Sequence, residues 1–226
     1  MKLEPAATRV ELPLSGQSQK AIPRIARDHN LVRLSLTLML GLGLSTVAPS
    51  LLNSQESKSD RMTPFGSKPQ VIPGTIEFEN FDEGAEGVAF HEIEAANDPT
   101  PIAYRKTTVD LEVTPDKKVI LIGHIKEGEW MNFTVDVAKS GAYELDLSVA
   151  VQGNEPPEIR IEVDCIDVSG PIPITTTTSK WYQFTRFAGP TVKLEDGRHV
   201  LRVIIVKSPK GTSLNLDHMR FLTKQK

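Results

Sequence analysis

From residue 75 to residue 222 the chain is written in short runs where apolar and polar residues alternate, a period that suits a pleated strand with one buried face and does not suit an amphipathic helix. The clearest runs are 75–81 (TIEFENF), 130–137 (WMNFTVDV), 143–151 (YELDLSVAV), 158–163 (EIRIEV), 200–206 (VLRVIIV) and 214–222 (LNLDHMRFL). Weaker ones lie at 88–93, 109–113, 119–125, 181–187 and 192–194. Turn-forming clusters separate them: KSG at 139–141, QGN at 152–154, EDG at 195–197 and SPKG at 208–211. About ten strands over roughly 150 residues predict an all-β domain, a two-sheet sandwich or jelly roll of antiparallel strands. No helical period of useful length competes with this reading.

The first third of the chain has a different pattern. Residues 1–33 are polar, with Lys2, Arg9, Lys20, Arg24, Arg27 and Arg33 against Glu4, Glu11 and Asp28. The stretch 34–52 (LSLTLMLGLGLSTVAPSLL) then carries no charge. A positive flank, a short apolar segment and a small-residue exit are the parts of a secretory signal peptide. The same stretch is just long enough for a signal anchor in a membrane, so both readings of 1–54 stand. Pro49 after Ala48 disfavours cleavage there, and an exit after Ser50 or Ser54 is expected. The lack of a polar face argues against a buried globular helix. Residues 55–73 are rich in Ser, Lys and Pro without periodicity and read as a flexible linker, leaving 74–223 as the folded domain. A secreted, periplasmic or cell-surface location follows, with membrane anchoring through 34–52 as the alternative.

Charge and cysteine content remove several function classes. The first 54 residues hold six basic and three acidic side chains of the 26 and 29 in the chain, so the remainder carries a net charge of -6. There is no basic footprint for nucleic acid. One cysteine, Cys165, provides neither an intramolecular disulfide nor a thiolate zinc cluster, and it reads as a small residue near a strand end.

Three groups of residues could carry chemistry. Glu77 and Glu79 alternate along the first strand, and Asp217 lies in the last. If the terminal strands pair, the three carboxylates form an oxygen cage suited to calcium; otherwise they are the solvent face of an edge strand. The aromatic residues Trp130, Trp181, Tyr104 and Tyr182, with His124, could offer flat faces to a sugar ring. Trp130 and Phe133 open a strongly apolar strand and are expected in the core. Trp181 follows the polar TTTTSK run and is expected at an exposed loop edge. Catalytic signatures are thin: His91, His124, His199 and His218 are scattered, and neither HExxH nor GxSxG occurs. Carboxylates are numerous enough for a glycosidase pair, but no pair singles itself out.

The ordered segments IPGTIEFENFDEG (72–84), GVAFHE (87–92), AYR (103–105), VDL (109–111), IGHIKEGEWMNFTVDV (122–137), SGAYELDLSVA (140–150) and LNLDHMRF (214–221) resemble a family 6 carbohydrate-binding module. Such modules are β-sandwiches appended to secreted polysaccharide-degrading enzymes. The resemblance implies a structural calcium held by Glu77, Glu79 and Asp217. It also implies a loop-end sugar site in which two aromatics sandwich a terminal sugar and an Asn orients it, at positions His124, Trp181 and Asn215. His124 departs from the family, which usually has Tyr or Trp there. Tyr104, in the AYR segment, joins the ligand-binding candidates.

The expectation is an exported, non-catalytic module that binds polysaccharide or oligosaccharide ends, with any catalytic partner on a separate chain. The alternatives are a carbohydrate-active hydrolase, or a cell-surface adhesion sandwich that has lost sugar binding.

Overall fold

The structure, a computed structural model, describes residues 61–93 and 103–224. The leader or anchor expected at 1–54 lies outside the described residues.

Thirteen strands form among the described residues. They are β1 (Gln70–Ile72), β2 (Gly74–Glu77), β3 (Phe90–His91), β4 (Leu111–Val113), β5 (Ile120–Ile122), β6 (Trp130–Val137) and β7 (Gly141–Gln152), followed by β8 (Glu158–Val163), β9 (Ile166–Asp167), β10 (Ile172–Pro173), β11 (Thr185–Leu194), β12 (Gly197–Lys207) and β13 (Ser213–Thr223). They make a two-sheet sandwich. The first sheet runs β1-β6-β12-β8-β10, with β3 on β6 and β9 on β8; the second runs β11-β7-β13-β5-β4, with β2 on β13. Pairing is antiparallel throughout except between β1 and β6.

Alternation decides which side chains enter the core. Met131, Phe133, Val135 and Val137 of β6 and Leu201, Val203 and Ile205 of β12 face Leu145, Leu147, Val149 and Val151 of β7, all of them buried. Burying such side chains contributes about 1.5 to 3 kcal/mol each before the chain entropy they lose is subtracted. On β13 the phase of the pattern slips. Leu214 and Leu216 point inward, and so do Met219 and Phe221, because the register with β7 shifts between Leu216 and His218. This bulge leaves Asp217 and His218 both half-buried on the outer face of the sheet.

Several expectations are corrected. The linker expected at 55–73 is partly folded: Gln70–Ile72 pair in parallel with Val135–Val137, Ile72 is fully buried, and Thr63 bridges Glu83. Three residues followed by Pro73 are too few to show a period of two, so the strand left no pattern to read. The chain changes sheets at the cis peptide bond between Ile72 and Pro73, where β1 ends and β2 begins one residue later.

The strand expected over 75–81 stops at Glu77 and continues as a 3-10 turn over Phe78–Asn80. Three residues per turn place Phe78 and Phe81 on one side, and both are fully buried, whereas a straight strand would turn one of them to solvent. The weak runs 181–187 and 192–194 resolve into one strand, β11, that leaves Trp181 in the preceding loop.

Trp130 is not in the core. It lies on the outer face of β6, half-buried, with the Arg202 guanidinium 4.0 Å above its ring and His91 beside it. Phe133 is fully buried, as expected.

The outer face of β6 is itself covered by the segments flanking β1 and β3. Asn132 donates to the Val88 carbonyl and accepts from Arg202 Nε, at 2.9 and 2.8 Å. The buried Asp82 carboxylate accepts from the Thr134 amide and hydroxyl at 2.8 and 2.6 Å. Cys165 sits exposed in the two-residue turn Asp164–Cys165 joining β8 to β9, both residues at positive φ.

Because β1 is part of the sandwich, Ile72→Ala is expected to lower stability by about 2 to 5 kcal/mol, whereas Val71→Ala, at an exposed position in the same strand, changes it little. Denaturant unfolding of the two variants checks this; equal stability of both would return β1 to the status of a linker.

Candidate ligand-binding cleft and cation site

The turns at one end of the sandwich bring three of the expected ligand residues together. A cleft of about 310 Å³ is lined by Glu112, His124, Trp181 and Asn215, with Lys126 and the 208–214 turn on its rim. The Trp181 face is 54% exposed. Asn215 is buried and donates through Nδ2 to the Trp181 carbonyl at 2.8 Å, so one amide hydrogen fixes the loop that carries the indole. His124 stands at positive φ directly after Gly123, with its side chain about half exposed.

Glu112 was not singled out in the sequence. Its carboxylate bridges the cleft wall, with Oε1 3.2 Å from His124 Nε2 and Oε2 accepting from the Tyr182 hydroxyl at 2.7 Å. That hydrogen bond holds the Tyr182 phenol above its ordinary pKa. Gly123 is required for this arrangement, since a Cβ there would collide with Glu112 Oε1. One acidic residue in a weak strand carries no local signal. Only the pairing of β4 with β5, Leu111 opposite Ile122, places it beside the turn that bears His124.

Tyr104 is elsewhere. Its hydroxyl donates to Asn80 Oδ1 at 2.5 Å, and its ring stacks on Phe65 at 5.6 Å between centroids. Arg105 beside it donates to the carbonyls of Glu79, Phe81 and Asp82 at 3.0, 2.5 and 3.1 Å, meets Glu83 at 3.2 Å and lies 3.7 Å over the Phe81 ring. The AYR segment is therefore a clamp on the turn that follows β2, and Tyr104 is corrected from a cleft residue to part of that clamp.

The clamped turn carries Glu79. β2 pairs with β13, as the cage required, with Glu77 opposite His218. Among the described residues, the group whose donor atoms all lie within 4.8 Å of one another is Glu77, Asp217 and His218. Asp217 Oδ2 accepts from Ser148 Oγ at 2.8 Å and lies 2.9 Å from His218 Nδ1. Glu79 stands close enough to Glu77 and Asp217 to feel both charges, but it is not within that tight group.

Glu79 is 8% exposed, and its Oε2 is buried without a hydrogen-bond partner. Burial first, then the charges of Glu77 and Asp217, push its carboxyl up to about 8. Burial also raises Glu77. A buried carboxylate oxygen without a donor, beside two further carboxylates, is costly unless a cation or a proton neutralises it. These residues fit a divalent cation. Glu77, Glu79 and Asp217 are the hard oxygen donors that calcium takes, and the ion would supply the positive charge that the cluster lacks.

Comparison with known proteins bears on the fold and the family. The family model described as carbohydrate binding module (family 6) matches residues 102–223, more than half of the chain. The chain belongs to carbohydrate-binding module family 6. A comparison with curated proteins found no match. Among solved structures, a β-1,3-glucan binding family 6 module from Bacillus halodurans superposes with a TM-score of 0.50 at 17% identity, over 69% of this chain and all of that one. A second family 6 module, from Cellvibrio mixtus lichenase 5A in complex with cellotriose, gives a TM-score of 0.49 at 21% identity over 68% of this chain and 98% of that one. At these identities the superposition on the Bacillus module shows a shared fold.

With chelator present, the Glu79 carboxyl of this family 6 module stays protonated in the folded state up to about pH 8, while in the unfolded chain it ionises near its ordinary value of 4.5. The unfolded state then binds fewer protons between those limits, so stability is expected to fall as pH rises from about 4.5 to 8. Glu79→Gln is expected to flatten most of that slope, leaving the smaller part that the raised Glu77 contributes. Melting curves in chelator across this range check it, and an unchanged slope in the variant would mean that Glu79 is not the group responsible.

Proposed function

We propose that this family 6 module binds glycan in the cleft between His124 and Trp181, and that it does so without catalysis. The observation that carries the reading is the half-exposed Trp181 indole, held by Asn215 beside a fixed carboxylate in a concave site. The indole offers the flat apolar surface that an aliphatic sugar face covers, and Glu112 and Asn215 offer acceptors and donors to its hydroxyls. His124 gives a smaller and more polar second surface than a Tyr or Trp would.

Two observations weigh against the alternatives. An adhesion sandwich without a sugar site would have His124 and Trp181 buried or apart, whereas both are exposed on one cleft. A hydrolase needs a carboxylate pair, and among the residues lining the cleft Glu112 is the single one, already engaged by His124 and Tyr182. Modules of this family are generally non-catalytic, and catalysis on the bound glycan is assigned to a partner enzyme. The leader pattern at 1–54 supports action outside the cytoplasm, as a secreted, periplasmic or membrane-anchored protein. A structural calcium at Glu77, Glu79 and Asp217 braces β2 against β13.

The relative from Bacillus halodurans is described as β-1,3-glucan binding, so a soluble β-1,3-glucan is the first ligand to test. In affinity gels across a panel of polysaccharides, Trp181→Ala is expected to weaken retention on whichever glycan the wild type binds by about thirtyfold or more, the loss of an aromatic anchor worth roughly 2 kcal/mol. Its melting temperature should be unchanged, because the backbone carbonyl that Asn215 holds remains. Retention equal to the wild type would move the site away from this cleft. Separately, chelation is expected to lower the melting temperature and added calcium to restore it; a melting temperature indifferent to both would remove the ion from the reading.

A further inference from the structure

The cleft that holds Trp181 differs in charge from the domain around it. Beyond its first 54 residues the chain carries 20 basic and 26 acidic side chains, a net charge of -6. The residues lining the cleft reverse that balance: Lys126 and Lys210 stand against one carboxylate, Glu112. Both oxygens of that carboxylate already face protein groups, His124 Nε2 at 3.2 Å and the Tyr182 hydroxyl at 2.7 Å. Lys210, in the turn between β12 and β13, is exposed, and among the described residues no carboxylate lies within ion-pair distance of it. Lys126 lies in the turn between β5 and β6, and its acidic neighbour Glu127 does not line the cleft. Lys180 precedes Trp181 in the loop before β11 and is also exposed. Each of the three loops at this end of the sandwich therefore carries a lysine.

We propose that the cleft takes a glycan bearing negative charge, as carboxylates or sulfate esters on its sugars, in preference to a neutral one. The proposal rests on the reading that glycan covers Trp181, and it names the class of glycan.

Two arguments carry it. The first is the local sign of charge. A domain of net negative charge repels a polyanion, so a preference for one has to come from short-range contacts. Salt screens the acidic residues on the rest of the surface beyond about 8 Å, whereas a ligand seated on Trp181 meets Lys126 and Lys210 on the walls of its own site. The second is the chemistry of the contact. A lysine ammonium is strongly hydrated and gains little from a neutral hydroxyl, but its hydrogen bond to an anionic oxygen is about twice as strong as a neutral one. Each such exposed contact is worth roughly twofold to fivefold in affinity, so two of them give a preference of about fivefold or more.

The test titrates the full chain calorimetrically with three forms of one β-1,3-glucan: unmodified, oxidised to carboxylates at C6, and sulfated. Affinity gels extend the comparison to xylan, polygalacturonate and a sulfated galactan. The best anionic glycan is expected to bind at least fivefold more tightly than the best neutral one, and the gain in the carboxylated or the sulfated form tells which anion the lysines take. The ratio should shrink as salt is raised. It should fall in Lys210→Gln, fall further in the Lys126→Gln/Lys210→Gln double variant, and be kept in Lys210→Arg. Should a variant prove unstable in thermal unfolding, the salt dependence of the wild-type ratio remains as the test. Equal binding of neutral and anionic glycans, a ratio indifferent to salt, or a ratio unchanged in the double variant would each overturn the proposal and leave the Trp181 site standing. Anionic binding that survives Trp181→Ala overturns it by placing the contact outside this cleft. No binding of any glycan overturns both readings.

Discussion

The central position of β13 is the constraint on which both sites depend. This strand pairs along its length with β7, takes β2 against its outer half and touches β5 near its start. Its inward side chains close the core, while Asn215 holds the Trp181 loop and Asp217 faces the acidic turn. One extra residue at the bulge makes this possible. Without the slip, a strand with Leu214 and Leu216 inward would put His218 into the core and Met219 and Phe221 into solvent. The bulge keeps all four apolar side chains buried and sets two donor residues side by side on the surface.

The acidic cluster needs support from outside β13. Glu79 is desolvated beside Glu77 and Asp217, and the cluster itself offers its carboxyl no stabilising partner, so the turn is held by contacts from outside it. Arg105 supplies the restraint by binding the carbonyls of Glu79, Phe81 and Asp82 and stacking on Phe81, while Tyr104 ties Asn80. The guanidinium brings positive charge close to the turn but gives its hydrogens to backbone carbonyls and to Glu83. It therefore fixes geometry without neutralising Glu79. That division explains how a turn can be well held and still lack a counter-charge.

The sandwich was legible because period-two alternation is a local property, and β6, β8 and the cores of β7 and β12 follow it closely, as do the two halves of β13 on either side of its bulge. β1 was not, since Gln70–Ile72 is too short to show a period, and its burial comes from a parallel partner more than sixty residues away. The 3-10 turn was masked in a similar way: Glu77 and Glu79 keep the spacing of a strand while Phe78 and Phe81 have the spacing of a tighter turn. Trp130 misled because an aromatic in an apolar strand suggests the core, whereas alternation from Met131 onward puts it on the other face. Resemblance placed His124, Trp181 and Asn215, which converge. It could not separate Tyr104 from them, because whether a matched residue lines a cleft or clamps a turn depends on tertiary contacts.

His124 changes what the cleft can do. Two aromatic faces hold a sugar by apolar contact on both sides, and that contact tolerates different hydroxyl patterns. Here one lining aromatic is indole, and the other position holds an imidazole paired with Glu112, which is itself held by Tyr182. On the proposed reading, a sugar ring covering Trp181 would meet an imidazole and a carboxylate in the same cleft. Hydrogen bonds to such groups depend on where each hydroxyl points, and a buried polar group left without its partner costs more than a lost apolar contact. On the proposed reading of the cleft, the arrangement would give up part of the stacking energy for discrimination between sugars, and weak, selective binding would be strengthened by repeated contact along a polymer.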